Sequence, residues 1–185
     1  NKGSKKNMDR KILIRLFLLF IPVSYASYLF HEFGHWIIGE VLGNNMVFTL
    51  NNVWPKNGYY INEIHSLYVT IGGPAFTIIQ SLIFLLIIEK YKMVYVYPLI
   101  FFPMFTRFFS IFLGEFSIQD EAKISALLEL GTYTIAGIVL SILIVIVLRG
   151  SYRLKISLKN NLDFLVVCTL CQLLVIETYK VLSRA

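Results

Sequence analysis

The sequence predicts an all-α polytopic membrane helix bundle, and three observations predict it. Of the 185 residues, 57% are apolar and only 15% charged, whereas soluble domains hold roughly 45–50% and about 25%. The apolar residues gather in long runs, such as 12–30 and 135–148, which is the pattern of membrane-spanning helices. The basic residues sit between those runs, as they do when charge sets membrane topology. The net charge of +6 therefore belongs to topology. A nucleic-acid partner is excluded, because it would need a basic soluble surface. The length holds about five spanning helices, so the expectation is one membrane-embedded domain over 1–185 with no separate soluble domain.

The first span is expected at 12–42. About 20 residues cross a bilayer core, so this helix must tilt or protrude. Pro22 is placed to kink it, and Gly43-Asn44-Asn45 is a stop signal. Lys5, Lys6, Arg10 and Lys11 precede it, as in a signal peptide. It lacks a small-residue cleavage site, however, and carries candidate chemistry at its far end, so it reads as a retained helix. Residues 44–65 form a polar, aromatic loop or small β-hairpin, in which Trp54, Tyr59 and Tyr60 suit the headgroup interface. A strand near 46–50 would offer an edge to an extended substrate. The second span is expected at 67–88, with Gly72-Gly73-Pro74 breaking its opening turns. The third is expected at 94–113, containing Pro98 and Pro103, the fourth at 127–148 and the fifth at 162–181. Cys168 and Cys171, inside the last run, are expected to be small core residues.

The N-terminal lysines, then Lys90 and Lys92, then Arg149, Arg153, Lys155 and Lys159 alternate with less basic loops. The positive-inside rule then puts the N-terminus in the cytoplasm and the C-terminus outside. On that topology residues 31–35, 72–74 and 119–122 all lie toward the outer half of a multi-pass protein of the cell membrane, converging at one level.

The chemistry centres on His31-Glu32-Phe33-Gly34-His35. Positions i and i+4 share a helix face, so two imidazoles there can grip one Zn²⁺ at about 2.0–2.1 Å. Glu32 is then the general base toward a zinc-activated water. Ionisable groups in an apolar span are costly and mark function. A third protein ligand is needed. The extended soluble pattern, with Gly three residues after the second His and a further His three beyond, fails because those places hold Ile38 and Val41. The remaining candidates are Asp120, Glu121, Glu115, Glu63 and His65. Asp120 leads, with Glu121 in reserve. The competing reading makes Asp120 an N-cap for a helix over 121–130. Gly73 and Pro74 allow close backbone approach, either to hold a substrate strand or as a helix start with Pro in its first turn. Arg107 is either an oxyanion stabiliser or the partner of Glu115 or Asp120 in an ion pair. Gln80, Gln172 and Glu177 are expected to make interhelical hydrogen bonds.

These residues resemble the site-2 protease family of intramembrane zinc metalloproteases. His31-Glu32-x-x-His35 looks like its zinc helix, Gly73-Pro74 like its Gly-Pro motif, and Asp120 like its aspartate ligand. Thr77 stands where that motif often has Asn, and Glu121 stands where Gly usually follows the aspartate. The resemblance spans the first helix through the start of the fourth. It implies one Zn²⁺ per chain and a hydrolase that cleaves membrane-spanning or membrane-adjacent proteins or peptides within the lipid bilayer. Gly73, Pro74, Thr77 and Arg107 would then lie near substrate or transition state. Two other readings stand beside it. One is a membrane protease of the prenyl-protein or stress-response type with Glu115, Glu121 or Glu129 as third ligand. The other is a non-enzymatic metal-binding membrane protein, in which Glu32 would be dispensable.

Overall fold

A computed structural model describes residues 8–112 and 119–182. The basic residues Lys2, Lys5 and Lys6, together with Glu115 and the end of the third expected span, lie outside the described residues. The element order is α1 (Arg10–Val41), a β1–β2 hairpin (Met46–Phe48 and Val53–Pro55), α2 (Glu63–Tyr91), a 3₁₀ turn (Val94–Val96), α3 (Pro98–Phe112), α4 (Asp120–Leu127), α5 (Thr134–Leu154) and α6 (Leu158–Leu182). Five helical segments are long and apolar enough to cross a membrane: α1, α2, the 3₁₀ turn continued by α3, α5 and α6.

Local sequence sets the ends. The Asp9 side chain accepts from Lys11 N–H at 2.7 Å and opens α1. Gly43, with φ +79°, closes it: its N–H donates to Glu40 O at 2.8 Å, and Asn44 N–H donates to Gly39 O at 3.0 Å. Thirty-two residues give a helix about 48 Å long, which exceeds a bilayer core of about 30 Å. Pro22 lies within α1 without ending it. Asn62 caps α2 by accepting from Ile64 N–H at 3.1 Å. The hairpin pairs Met46 with Pro55 and Phe48 with Val53. It is tied to α1 where Met46 N–H donates to Glu40 Oε1 at 2.6 Å.

Several boundaries differ from expectation. Residues 72–74 do not break the second span: α2 starts at Glu63 and continues through Pro74. Pro74 is therefore not in a first turn, and the N–H it lacks leaves the Thr70 carbonyl without its helical donor. The expected fourth span began too early. Residues 120–127 form the separate short helix α4, which turns through Glu129 at φ 54° before α5 starts at Thr134. The last helix starts earlier than expected, at Leu158.

The apolar core lies toward the end of the bundle that holds the start of α1, the end of α2 and the start of α6. Phe20, Tyr97, Phe101 and Phe164 stack there, with ring centroids 5.4–6.0 Å apart. Cys168 and Cys171 are free and buried in the same cluster, as small core residues. At this end Glu89 of α2 pairs with Arg149 and Arg153 of α5.

The opposite half of the bundle is built on close helix approach. A Cβ on Gly34 would lie 2.5 Å from Gly72 O, and one on Gly72 would lie 2.4 Å from Gly34 O. Only glycine lets α1 and α2 touch backbone to backbone there, as small residues do at helix crossings in membranes.

Candidate metal centre

The α1–α2 crossing presses α2 onto the His31-Glu32-x-x-His35 turn. His31, Glu32 and His35 are all buried, at 6–8% exposure. One ligand atom from each lies within 4.8 Å of the others, so the group has the donors to bind a metal ion. The histidines are oriented from behind. Thr77 Oγ1 donates to Gly73 O at 3.0 Å, which leaves its lone pair to accept from His31 Nδ1–H at 2.9 Å. His35 Nδ1–H donates to Val69 O at 2.7 Å. With each Nδ1 protonated, each Nε2 carries the free lone pair. This is how ligand histidines are commonly fixed.

The two Nε2 atoms are 3.3 Å apart. Asp120 Oδ2 closes a triangle with them, 3.0 Å from His31 Nε2 and 3.2 Å from His35 Nε2. With both Nε2 lone pairs free, no proton lies between these three acceptors, and a cation at the centre of the triangle would relieve their mutual repulsion. Asp120 is not the N-cap. Gln119 holds that place, and Asp120 is the first residue of α4. A side chain at Gly73 would put its Cβ 2.3 Å from His35 Nε2 and 2.6 Å from His31 Cε1, so glycine is what lets α2 lie against both imidazoles.

Among the described residues Arg107 pairs with Glu121 rather than with Asp120. Its Nη1 donates to Glu121 Oε2 at 3.1 Å, not to Asp120, and Glu115 is outside the described residues. Its Nη2 lies against the His31 ring, 3.1 and 3.3 Å from the two nitrogens. Glu121, 1% exposed, is committed to Arg107 and does not join the histidines. Glu63 stands in the first turn of α2, and His65 Nδ1 lies 3.1 Å from Asn44 Nδ2. Neither joins the triangle.

No protein-family profile, no curated protein and no solved structure matches this chain.

Of the residues singled out in sequence, His31, Glu32, His35, Asp120, Gly73, Thr77 and Arg107 come together at one site. Thr77 and Gly73 meet the histidines rather than open space. Gln80 Nε2 donates to Leu99 O at 3.4 Å, a long interhelical bond. Gln172 Nε2 donates to Tyr28 Oη. Glu177 instead pairs with Lys180 on its own helix, 2.7 Å away. Val69 O, Gly34 and Ser27 went unnoticed in sequence. A carbonyl leaves no sequence signal. Gly34 and Ser27 did leave one, since Ser27, His31, Gly34 and His35 lie at helical spacings along one face of α1.

The centre opens into a cavity of about 830 Å³. The cavity is lined from the hairpin at Asn51 and Asn52, across Tyr60, down to Thr106 of α3 and Gln172 of α6.

Proposed function

We propose that this chain is an intramembrane zinc metalloprotease that cleaves peptide bonds in membrane-spanning or membrane-adjacent substrates. The observation that carries the reading is the triangle of His31 Nε2, His35 Nε2 and Asp120 Oδ2, with edges of 3.0, 3.2 and 3.3 Å. Ligands about 2.0–2.1 Å from a tetrahedral Zn²⁺ lie about 3.3–3.4 Å apart, so the three donors fit with only a slight spread. Three protein ligands and one open place are the arrangement of hydrolytic zinc sites, whereas structural sites close all four. Zinc held there supplies Lewis acidity, polarising a carbonyl and making hydroxide available near neutral pH.

The chain's own residues do the rest. Glu32, one residue from His31 and outside the triangle, accepts the proton of the attacking water and returns it to the leaving amide nitrogen. Thr77 and Val69 O hold the two imidazoles in the ligating tautomer. Arg107, through Glu121, holds the first turn of α4 that bears Asp120. A helical substrate hides its carbonyls in its own hydrogen bonds, so it must unwind before attack, and the large polar-lined cavity gives the unwound strand room. The charge pattern supports an N-terminus in the cytoplasm and a centre in the outer half of the cell membrane.

A glutamate as third ligand has less support, because Glu121 serves Arg107 and Glu129 lies in the turn after α4. The test is zinc per purified chain in mild detergent for the wild type, Glu32→Gln and Asp120→Ala. About one equivalent in the first two and loss in the third is the expected result. Absence of zinc from the folded wild type would overturn the reading. Peptide cleavage that survives in Glu32→Gln would remove Glu32 as the base.

A further inference from the structure

The cavity has a polar floor that the metal chemistry does not use. Ser27 and Tyr28 stand four residues before His31 and Glu32 on α1, about 6 Å along the axis. From α6, Gln172 reaches across so that its Nε2 donates to Tyr28 Oη. Ser27 and Gln172 are more than nine-tenths buried, and all three residues line the cavity. Yet Ser27 Oγ and Gln172 Oε1 have no hydrogen-bond partner among the described residues. Tyr28 Oη accepts from Gln172, and its own proton remains to donate. The floor therefore offers two donor hydroxyls and an amide acceptor at a depth where unsatisfied polar groups are costly.

We propose that Ser27, Tyr28 and Gln172 form a specificity subsite for a hydrogen-bonding side chain, Ser, Thr, Asn or Gln, on the substrate residue next to the cleaved bond. An extended chain advances about 3.3 Å per residue. A side chain beside a carbonyl held at the triangle therefore reaches a floor one helical turn away. An apolar side chain would enter the same space but leave Ser27 Oγ and Gln172 Oε1 buried and unpaired. A site built to hydrogen-bond its substrate discriminates in this way far more sharply than an apolar slot does. The subsite rests on the protease reading and gives it a substrate class: membrane segments carrying a polar residue at the scission point.

The experiment uses the full chain, zinc-loaded in mild detergent, with a synthetic peptide mixture of random sequence and cut sites read by mass spectrometry. Cuts that vanish in Glu32→Gln are the ones counted. The wild type should show Ser, Thr, Asn and Gln enriched at least about tenfold at one position beside the cut. Ser27→Ala should weaken that enrichment. Gln172→Leu should replace it with Leu and Met, while Gln172→Glu, which keeps an acceptor, retains it. Zinc content reports whether each variant is intact. Ser27→Ala, which removes a single oxygen, decides the matter where Gln172→Leu loses zinc. Glu32-dependent cuts with no polar enrichment, or with the same enrichment in Ser27→Ala and Gln172→Leu, would overturn the subsite and leave the protease reading standing. No Glu32-dependent cuts at all would overturn both.

Discussion

Thr77 illustrates how much of this centre depends on groups that would not touch a bound metal. Its hydroxyl donates to Gly73 O and accepts from His31 Nδ1–H, which fixes both the tautomer and the tilt of the ring. Thr77→Val keeps the shape and deletes that partner. Zinc affinity, measured by competition with a chromogenic chelator, should fall about 10–100-fold, and Thr77→Ser should recover most of it. Gly73 acts by having no side chain. Since a Cβ would sit 2.3 Å from His35 Nε2, and His35 is pinned behind by Val69 O, the ring has little freedom to retreat. Gly73→Ala should purify with well under one equivalent of zinc. Retention of full zinc would show that α2 can move off the site.

At the scale of elements, α4 is the piece that must be held. It is eight residues long, too short to be stable by itself, and it carries Asp120. Against α3 it is tied by Arg107 and Glu121, a buried ion pair in a mostly apolar surrounding. Removing one partner strands the other charge, at roughly 3–5 kcal/mol. Arg107→Met should therefore destabilise strongly in detergent unfolding, while Arg107→Met with Glu121→Leu should cost less than either single change. Equal or larger loss in the double variant would show that the pair does not act as a unit. The α1–α2 crossing at Gly34 and Gly72 is the second fixed contact. It sets the height of Gly73 and Thr77 against the two histidines.

On the scale of the whole molecule, the helices alternate so that Lys90, Lys92, Arg149 and Arg153 share one end and the hairpin, α4 and the end of α6 share the other. If the basic end faces the cytoplasm, the metal centre opens outward. Single cysteines replacing Lys56 or Lys92, in a chain with Cys168→Ala and Cys171→Ala, test this in intact cells. A membrane-impermeant maleimide should label position 56 and leave position 92 unlabelled. The reverse pattern would invert the protein while leaving the site intact. Chelator treatment should abolish Glu32-dependent cleavage, and added Zn²⁺ should restore it.

The sequence by itself determined what depends on local chemistry. Apolar runs longer than a bilayer is thick give spanning helices whatever they pack against, and a His pair at i, i+4 faces one way on any helix. Hence the fold class and the His31, Glu32 and His35 cluster were legible, as was the depth of Asp120. Tertiary structure decided what depends on which atoms meet across helices. Nothing in the order of residues says that Arg107 takes Glu121 and leaves Asp120 to the histidines, because both carboxylates are adjacent and either suits a guanidinium. That Pro74 continues a helix also depends on context, since neighbouring elements absorb the loss of one hydrogen bond in a membrane bundle. The start of α5 at Thr134 was hidden because residues 127–133 are apolar enough to pass as helix until α4 and its turn are packed. Thr77, Ser27 and Gln172 are ordinary polar residues in the sequence. They acquire their places only when α1, α2 and α6 close around one cavity.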